Sequence, residues 1–219
     1  MNKTHIYCVP GLAANSKIFK NLKFTKDFYE VHYIEWLVPE SIDETIEHYA
    51  QRMCEIITEE NVILLGVSFG GIMVQEMSKI IHPKKVIIVS SVKNLNELPL
   101  RLKVAKATKA YKVVPTKMLT NLEKYIQFFF GSMAKKRLEM YKVYMSMRDE
   151  AYLKWAIYNV LHWKQNYNLE NIIHIHGTDD GVFPVKHIKD YIKIDGGTHV
   201  MIITKASSIV SIIEDQLNK

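Results

Sequence analysis

Gly66-Val67-Ser68-Phe69-Gly70-Gly71 sets a serine between glycines two places before it and two places after it. A serine hydroxyl is a weak nucleophile and reacts only with a general base in contact. The spacing suits a sharp turn from strand to helix, where the serine backbone is strained and the glycines let the chain pass closely. Composition alone yields such a match about 0.07 times in a chain this long. Context adds the weight: Asn61-Val62-Ile63-Leu64-Leu65-Gly66-Val67 is a buried-strand pattern, and an amphipathic helix pattern follows from Phe69 to Ile81. A glycine-rich turn could instead cradle a phosphate, but no lysine follows in the P-loop position and no G-x-G-x-x-G is present.

The base must come from elsewhere in the chain. Of nine histidines, His199 is the best placed, on the glycine-bearing loop Gly196-Gly197-Thr198-His199 after the last strand pattern. His5 and His174 fall inside strands, and His32, His48 and His162 in regular elements. His82 and His187 fall at surface positions, and His176 reads as structural. Asp179 and Asp180 share a turn after a strand. A carboxylate there can fix the tautomer of His199 and stabilise its cation; the same two residues could simply make Asx turns.

These residues need a scaffold that brings three distant loops together. Strand patterns run over 4–9, 29–35, 61–67, 85–90, 171–176 and 191–194. Between them the spacing predicts a helix opened by a capping box, Ser41 to Glu44, with Ile42, Ile46, Tyr49, Met53 and Ile57 on one stripe. A second helix over 69–81 turns Ile72, Met73, Met77 and Ile80 inward, and a last one over about 205–217 carries Ile209, Ile212, Ile213 and Leu217. Such alternation implies an α/β fold with a mostly parallel sheet of about six strands and helices on both faces. From 93 to 168 the alternation stops, and helical patterns fall at about 97–110, 117–130, 133–147 and 149–164. The expected organisation is a core of residues 1–92 and 169–219 with a helical cap, 93–168, inserted in it.

The chain has 219 residues, enough for one domain that folds without covalent staples. Cys8 and Cys54 read as buried thiols of a reducing compartment. The apolar run Ile6 to Val9 is too short for a signal peptide, and no stretch approaches the length of a bilayer span. A cytoplasmic protein is expected. The net charge of +6 is unevenly placed, since residues 93–168 hold 15 Lys and Arg against 5 Asp and Glu. That is either a solvated helical surface or a face that steers anionic partners. No nucleic-acid motif accompanies it. No Cys/His spacing suggests a zinc site.

The order Ser, Asp, His, with the serine in a strand–G-x-S-x-G–helix elbow, resembles that of the α/β-hydrolase superfamily, and the resemblance covers nearly the whole chain. His176-Gly177-Thr178-x-Asp180 with Pro184 resembles the family's acid loop, which selects Asp180 over Asp179. Gly197-Thr198-His199 is similar to its G-x-H. Val9-Pro10-Gly11-Leu12 resembles the turn after its early strand, with Pro10 in place of the usual histidine. The chain opens directly at that strand, without the hairpin of larger members. The resemblance implies a Ser68-Asp180-His199 triad, an oxyanion hole from the N–H groups of Leu12 and Phe69, and no cofactor or metal. It implies cleavage of a carboxylic ester or thioester through an acyl-enzyme. A ligand-binding protein with little turnover, an acyltransferase and a lyase share the same fold and triad. An acidic carrier such as acyl carrier protein or coenzyme A would suit the basic cap. Phe128, Phe129, Phe130, Met140, Tyr144, Met145, Met147, Trp155 and Trp163 supply apolar surface there, for pocket or core.

Overall fold

The computed structural model describes residues 3–109 and 143–218. The six apolar runs become six strands: β1 (Thr4–Val9), β2 (Tyr29–Tyr33), β3 (Val62–Val67), β4 (Lys85–Val89), β5 (Ile172–Gly177) and β6 (Ile192–Ile194). They form one sheet in the order β2-β1-β3-β4-β5-β6. Every pairing is parallel. The helices are α1 (Ile46–Cys54), α2 (Phe69–Ile81), α3 (Leu100–Ala107), α4 (Glu150–His162), α5 (Met201–Thr204) and α6 (Ala206–Leu217).

The two-residue period of a strand sorts the core into two halves. Tyr7, Val9, Leu64, Val86 and Ile88 pack on one face with Ile46, Tyr49 and Met53 of α1 and Ile72, Met73 and Met77 of α2. Ile6, Cys8, Leu65, Ile87 and Val89 pack on the other, against Phe19, Met201, Ile209 and Ile213. Burial on both faces is why these strands read as continuous apolar runs rather than alternating ones. Burial also raises the pKa of both thiols, that of Cys8 in β1 and that of Cys54 in α1, the latter to about 11.

The start of α1 differs from its expected form. Thr45, not Ser41, caps the helix, accepting from the His48 N–H at 3.1 Å. Glu44 instead accepts from the Glu40 N–H at 2.7 Å and from Arg52 at 2.9 Å. A buried carboxylate gains more from a guanidinium than from a helix-end amide, so residues 41–44 form a turn and Ile42 stays exposed. Ile80, expected inside, is also exposed.

Of the inserted segment, α3 and α4 are described; the helix expected over 117–130 and most of the one over 133–147 lie outside the described residues. Asp149 caps α4 by accepting from the Tyr152 N–H at 2.8 Å. Trp155 joins α4 to the core. Its ring stacks on Tyr49 with centroids 4.1 Å apart, and its indole N–H donates to the Glu44 carbonyl at 2.7 Å. Trp155→Ala removes a fully buried ring and leaves that carbonyl unpaired. A loss of about 3–5 kcal/mol is expected, read from the urea midpoint at unchanged slope.

Candidate active site

Ser68 follows the last residue of β3 and holds φ 55° and ψ −119°, a sparsely populated conformation for a residue with a Cβ. The flanking glycines make this turn possible. A Cβ on Gly66 would stand 2.2 Å from the Gly70 carbonyl oxygen, and one on Gly70 would stand 2.3 Å from the carbonyl oxygens of Val9 and Pro10. The turn is held from behind: the Ser68 N–H donates to the Val89 carbonyl at 3.0 Å, and the Ser91 hydroxyl donates to the Ser68 carbonyl at 2.7 Å.

The loops after β5 and β6 bring Asp180 and His199 to this serine. They approach so closely that a Cβ on Gly177 would stand 2.1 Å from the Gly197 carbonyl oxygen. His199 Nε2 lies 2.9 Å from Ser68 Oγ, and its Nδ1 lies 2.9 Å from Asp180 Oδ2. With Asp180 ionised, Nδ1–H donates to the carboxylate, which leaves Nε2 to accept the serine proton. Asp180 is further held by the N–H groups of Val182 and Phe183, both at 2.8 Å from Oδ1. Burial raises its pKa, but the His199 and His176 imidazoles and the Phe183 N–H outweigh that, and it lies below the ordinary carboxylate value. Asp179, left open by the residue pattern, is exposed and accepts instead from the Thr178 hydroxyl at 3.0 Å.

Leu12 and Phe69 line the same cavity as Ser68. Among the described residues neither N–H group donates to a backbone carbonyl. Phe69 is the first residue of α2, so its amide also sits at the positive end of the helix dipole. The cavity is about 400 Å³. Leu102 and Ala105 of α3, Ile157 and Val160 of α4, and Tyr144 and Met145 all contribute to its wall. Arg101 is the one permanently charged side chain among its described lining residues, and its Nη2 donates to the Gly181 and Val182 carbonyls at 3.1 and 2.7 Å. Trp155 and Trp163 are buried in the core rather than in this wall. Phe128, Phe129, Phe130 and Met140 lie outside the described residues.

Three supporting residues escaped the sequence pattern. Trp36 donates its indole N–H to the Gly11 carbonyl at 2.9 Å and stacks on Phe69, fixing the turn that carries the Leu12 amide. Ser91 holds the elbow as described. His176, read only as structural, donates through Nε2 to the Phe183 carbonyl at 2.9 Å and lies 3.5 Å from Asp180 Oδ2. His174 Nε2 donates in turn to His176 Nδ1 at 3.2 Å. Of these, only His176 had a local signal, its place four residues before Asp180 on a strand end.

No protein-family model matches this chain, and no curated protein matches it in sequence. Solved structures do match it in fold. A thermophilic esterase from Thermogutta terrifontis is 12% identical with a TM-score of 0.70, over 99% of this chain and 90% of that one. A structure from work on carboxylesterases of the thaumarchaeon Nitrososphaera gargenis is 14% identical with a TM-score of 0.72, over 99% and 90%. RedJ, a thioesterase of prodiginine biosynthesis in Streptomyces coelicolor, is 12% identical with a TM-score of 0.65, over 95% and 85%. The chain has the α/β-hydrolase fold.

Burial is the first cause that lowers the pKa of both His174 and His176, and His174 falls furthest. Both are therefore neutral in the folded protein at pH values where the unfolded chain has begun to bind protons. Stability is full above about pH 6.5 and is lost as the pH falls below it. The urea midpoint is expected to drop between about pH 7 and about pH 5, and His174→Gln to flatten that drop by up to one proton, ~1.4 kcal/mol per pH unit.

Proposed function

We propose that this α/β-hydrolase fold is a serine hydrolase that cleaves carboxylic esters or thioesters of an apolar acyl group. The observation that carries the reading is the unbroken hydrogen-bonded line from Asp180 through His199 to Ser68, opening on an apolar cavity. His199 takes the Ser68 proton as Oγ attacks the acyl carbonyl carbon. Asp180 holds the imidazole and stabilises its cation. The Leu12 and Phe69 amides receive the oxyanion, and each such donor is worth about 10²–10³ in rate. His199 then gives its proton to the departing alcohol or thiol. Water enters, loses a proton to His199, and attacks the acyl-Ser68 ester to release the acid.

The wall of the cavity speaks for the acyl side. Aliphatic and aromatic groups from α3, α4 and residues 144–145 surround the space beside Ser68, and residues 93–168 act in this reading as the cap that shapes it. Burying methylenes there stabilises the transition state by about 0.8 kcal/mol each, so longer acyl chains gain in kcat/KM until the cavity is full. The esterases and the thioesterase of like fold are consistent with either leaving group. The basic balance of the cap favours a leaving group carrying phosphate, as in a coenzyme A or carrier-protein thioester.

A fluorophosphonate probe is expected to label the wild type and not Ser68→Ala; a folded wild type left unlabelled would overturn the serine mechanism. Acyl-nitrophenol esters from acetyl to lauroyl are expected to rise in kcat/KM by at least about tenfold before falling. Val160→Trp, which fills the cavity from α4, is expected to move that maximum to shorter chains while leaving acetyl ester cleavage within about threefold of wild type.

A further inference from the structure

The end of the sheet remote from Ser68 carries a second group of reactive side chains. His5 is the second residue of β1, and Tyr7 follows two places on. His32 of β2 pairs with Tyr7, and Glu30 pairs with His5. Residues two apart in a strand share a face, as do register partners. His5, Tyr7 and His32 therefore project together near the β2 edge of the sheet. Glu59, from the loop between α1 and β3, closes against them: it accepts from the Tyr7 hydroxyl, and from the Thr58 N–H at 3.3 Å. His5, His32 and Glu59 are each half-buried. At about 3.3 Å per residue, His5 stands about 13 Å back from Val9 at the catalytic end of its strand.

The three ligand-type atoms converge. His5 Nδ1 faces His32 Nε2 at 2.9 Å, and a Glu59 carboxylate oxygen lies within 4.8 Å of both. Two imidazole nitrogens on one tetrahedral ion, each at about 2.0–2.1 Å from it, stand about 3.3 Å apart. The present separation is a few tenths of an ångström short of that, within a small tilt of either ring. Order around the pair is already supplied. The His32 ring stacks on Tyr7 with centroids 4.5 Å apart and planes at 15°, and the Tyr7 hydroxyl orients Glu59 as an outer-shell partner orients a ligating carboxylate. Glu30 adds a negative charge to the same face. The second His–carboxylate group, Glu40, Glu44 and His48, differs in kind, because Arg52 already occupies both of its carboxylates.

We propose that His5, His32 and Glu59 form a binding site for one divalent transition-metal ion, with zinc as the reference ion, separate from the triad. Two neutral imidazoles and one carboxylate are the donor set of a borderline ion and leave a position for water. Bound there, the ion ties edge strand β2 to β1 and to the α1–β3 loop. The ion takes the place of the contact between the two imidazoles, about 13 Å along the strand from the catalytic end, so it acts on stability and not on acyl transfer.

The test uses the full chain, stripped with a chelator and titrated with zinc chloride at neutral pH by calorimetry and thermal unfolding. One ion per chain with micromolar or tighter affinity and a raised Tm is expected, with magnesium inert and ester cleavage unchanged. His32→Gln and Glu59→Gln are each expected to weaken binding by at least about tenfold. Glu59 lies on a loop, so that variant keeps the test open should His32→Gln fold poorly. Cobalt(II) on the wild type is expected to show visible d–d absorption that His5→Gln abolishes. Absence of micromolar binding by the wild type, or equal binding by a folded Glu59→Gln and a folded His32→Gln, would overturn the site and leave a hydrogen-bonded histidine pair.

Discussion

The approach of the β3–α2 turn to the end of β1 is the constraint on which the rest of the site depends. Gly66, Gly70, Val9 and Pro10 meet so closely that no Cβ fits at either glycine. Ser68 is thereby forced to a positive φ, a strain of order 1–3 kcal/mol that the buried sheet on either side holds in place. The same approach puts the Leu12 turn beside the first amide of α2. The proposed nucleophile and oxyanion donors are therefore placed by one packing contact between adjacent parallel strands, and Trp36 and Ser91 brace the two halves of that contact from outside.

The acid and base obey a different logic. Asp180 is deeply buried, and an ionised carboxylate in that setting requires several partners at once. It has them: one imidazole in line with the serine, two backbone amides, and His176 behind. His176 in turn is held neutral by burial, so it supports Asp180 through its dipole rather than by a competing full charge. A cation at that position would draw the carboxylate away from His199. Neutrality of the buried pair is thus part of the geometry that joins Asp180 to His199, and its cost is sensitivity to acid.

Most of this was legible in the sequence because a parallel α/β sheet places its reactive residues at the carboxyl ends of its strands. Ser68, Asp180 and His199 each follow a strand that burial on both faces makes conspicuous. Leu12 and Phe69, expected from the same turns, line the cavity beside Ser68. The supports were not legible, because each acts across sequence: Trp36 on Gly11 at a separation of 25 residues, and Ser91 on Ser68 at 23. The error at α1 has a similar origin. Ser41 and Thr45 can both cap a helix, Ser41 the better by type, and the choice falls to Arg52, eight residues past Glu44, whose charge claims the carboxylate. His5 and His32 meet through the β1–β2 register, a pairing that no spacing along the chain announces.

The two ends of the sheet carry opposite demands. At the carboxyl ends, strain and buried charge are concentrated, and each loop is fixed by contacts that cost stability when broken singly. At the amino end of the sheet's outer edge, β2 is held by β1 on one side only. An edge strand of five residues with one neighbour is the least supported part of a parallel sheet. Yet Trp36, which holds the turn at Gly11 and Leu12, lies three residues beyond β2, and the β2 backbone runs on into it through the Ile34 N–H bonded to the Cys8 carbonyl at 3.0 Å. Fraying of β2 would loosen Trp36 and with it the Leu12 amide. In the folded chain Ile34 and Trp36 are held by their own bonds, so the contacts of His32, the fourth residue of β2, with His5 and Tyr7 add to the stability of the edge and leave the geometry around Ser68 to the turn itself.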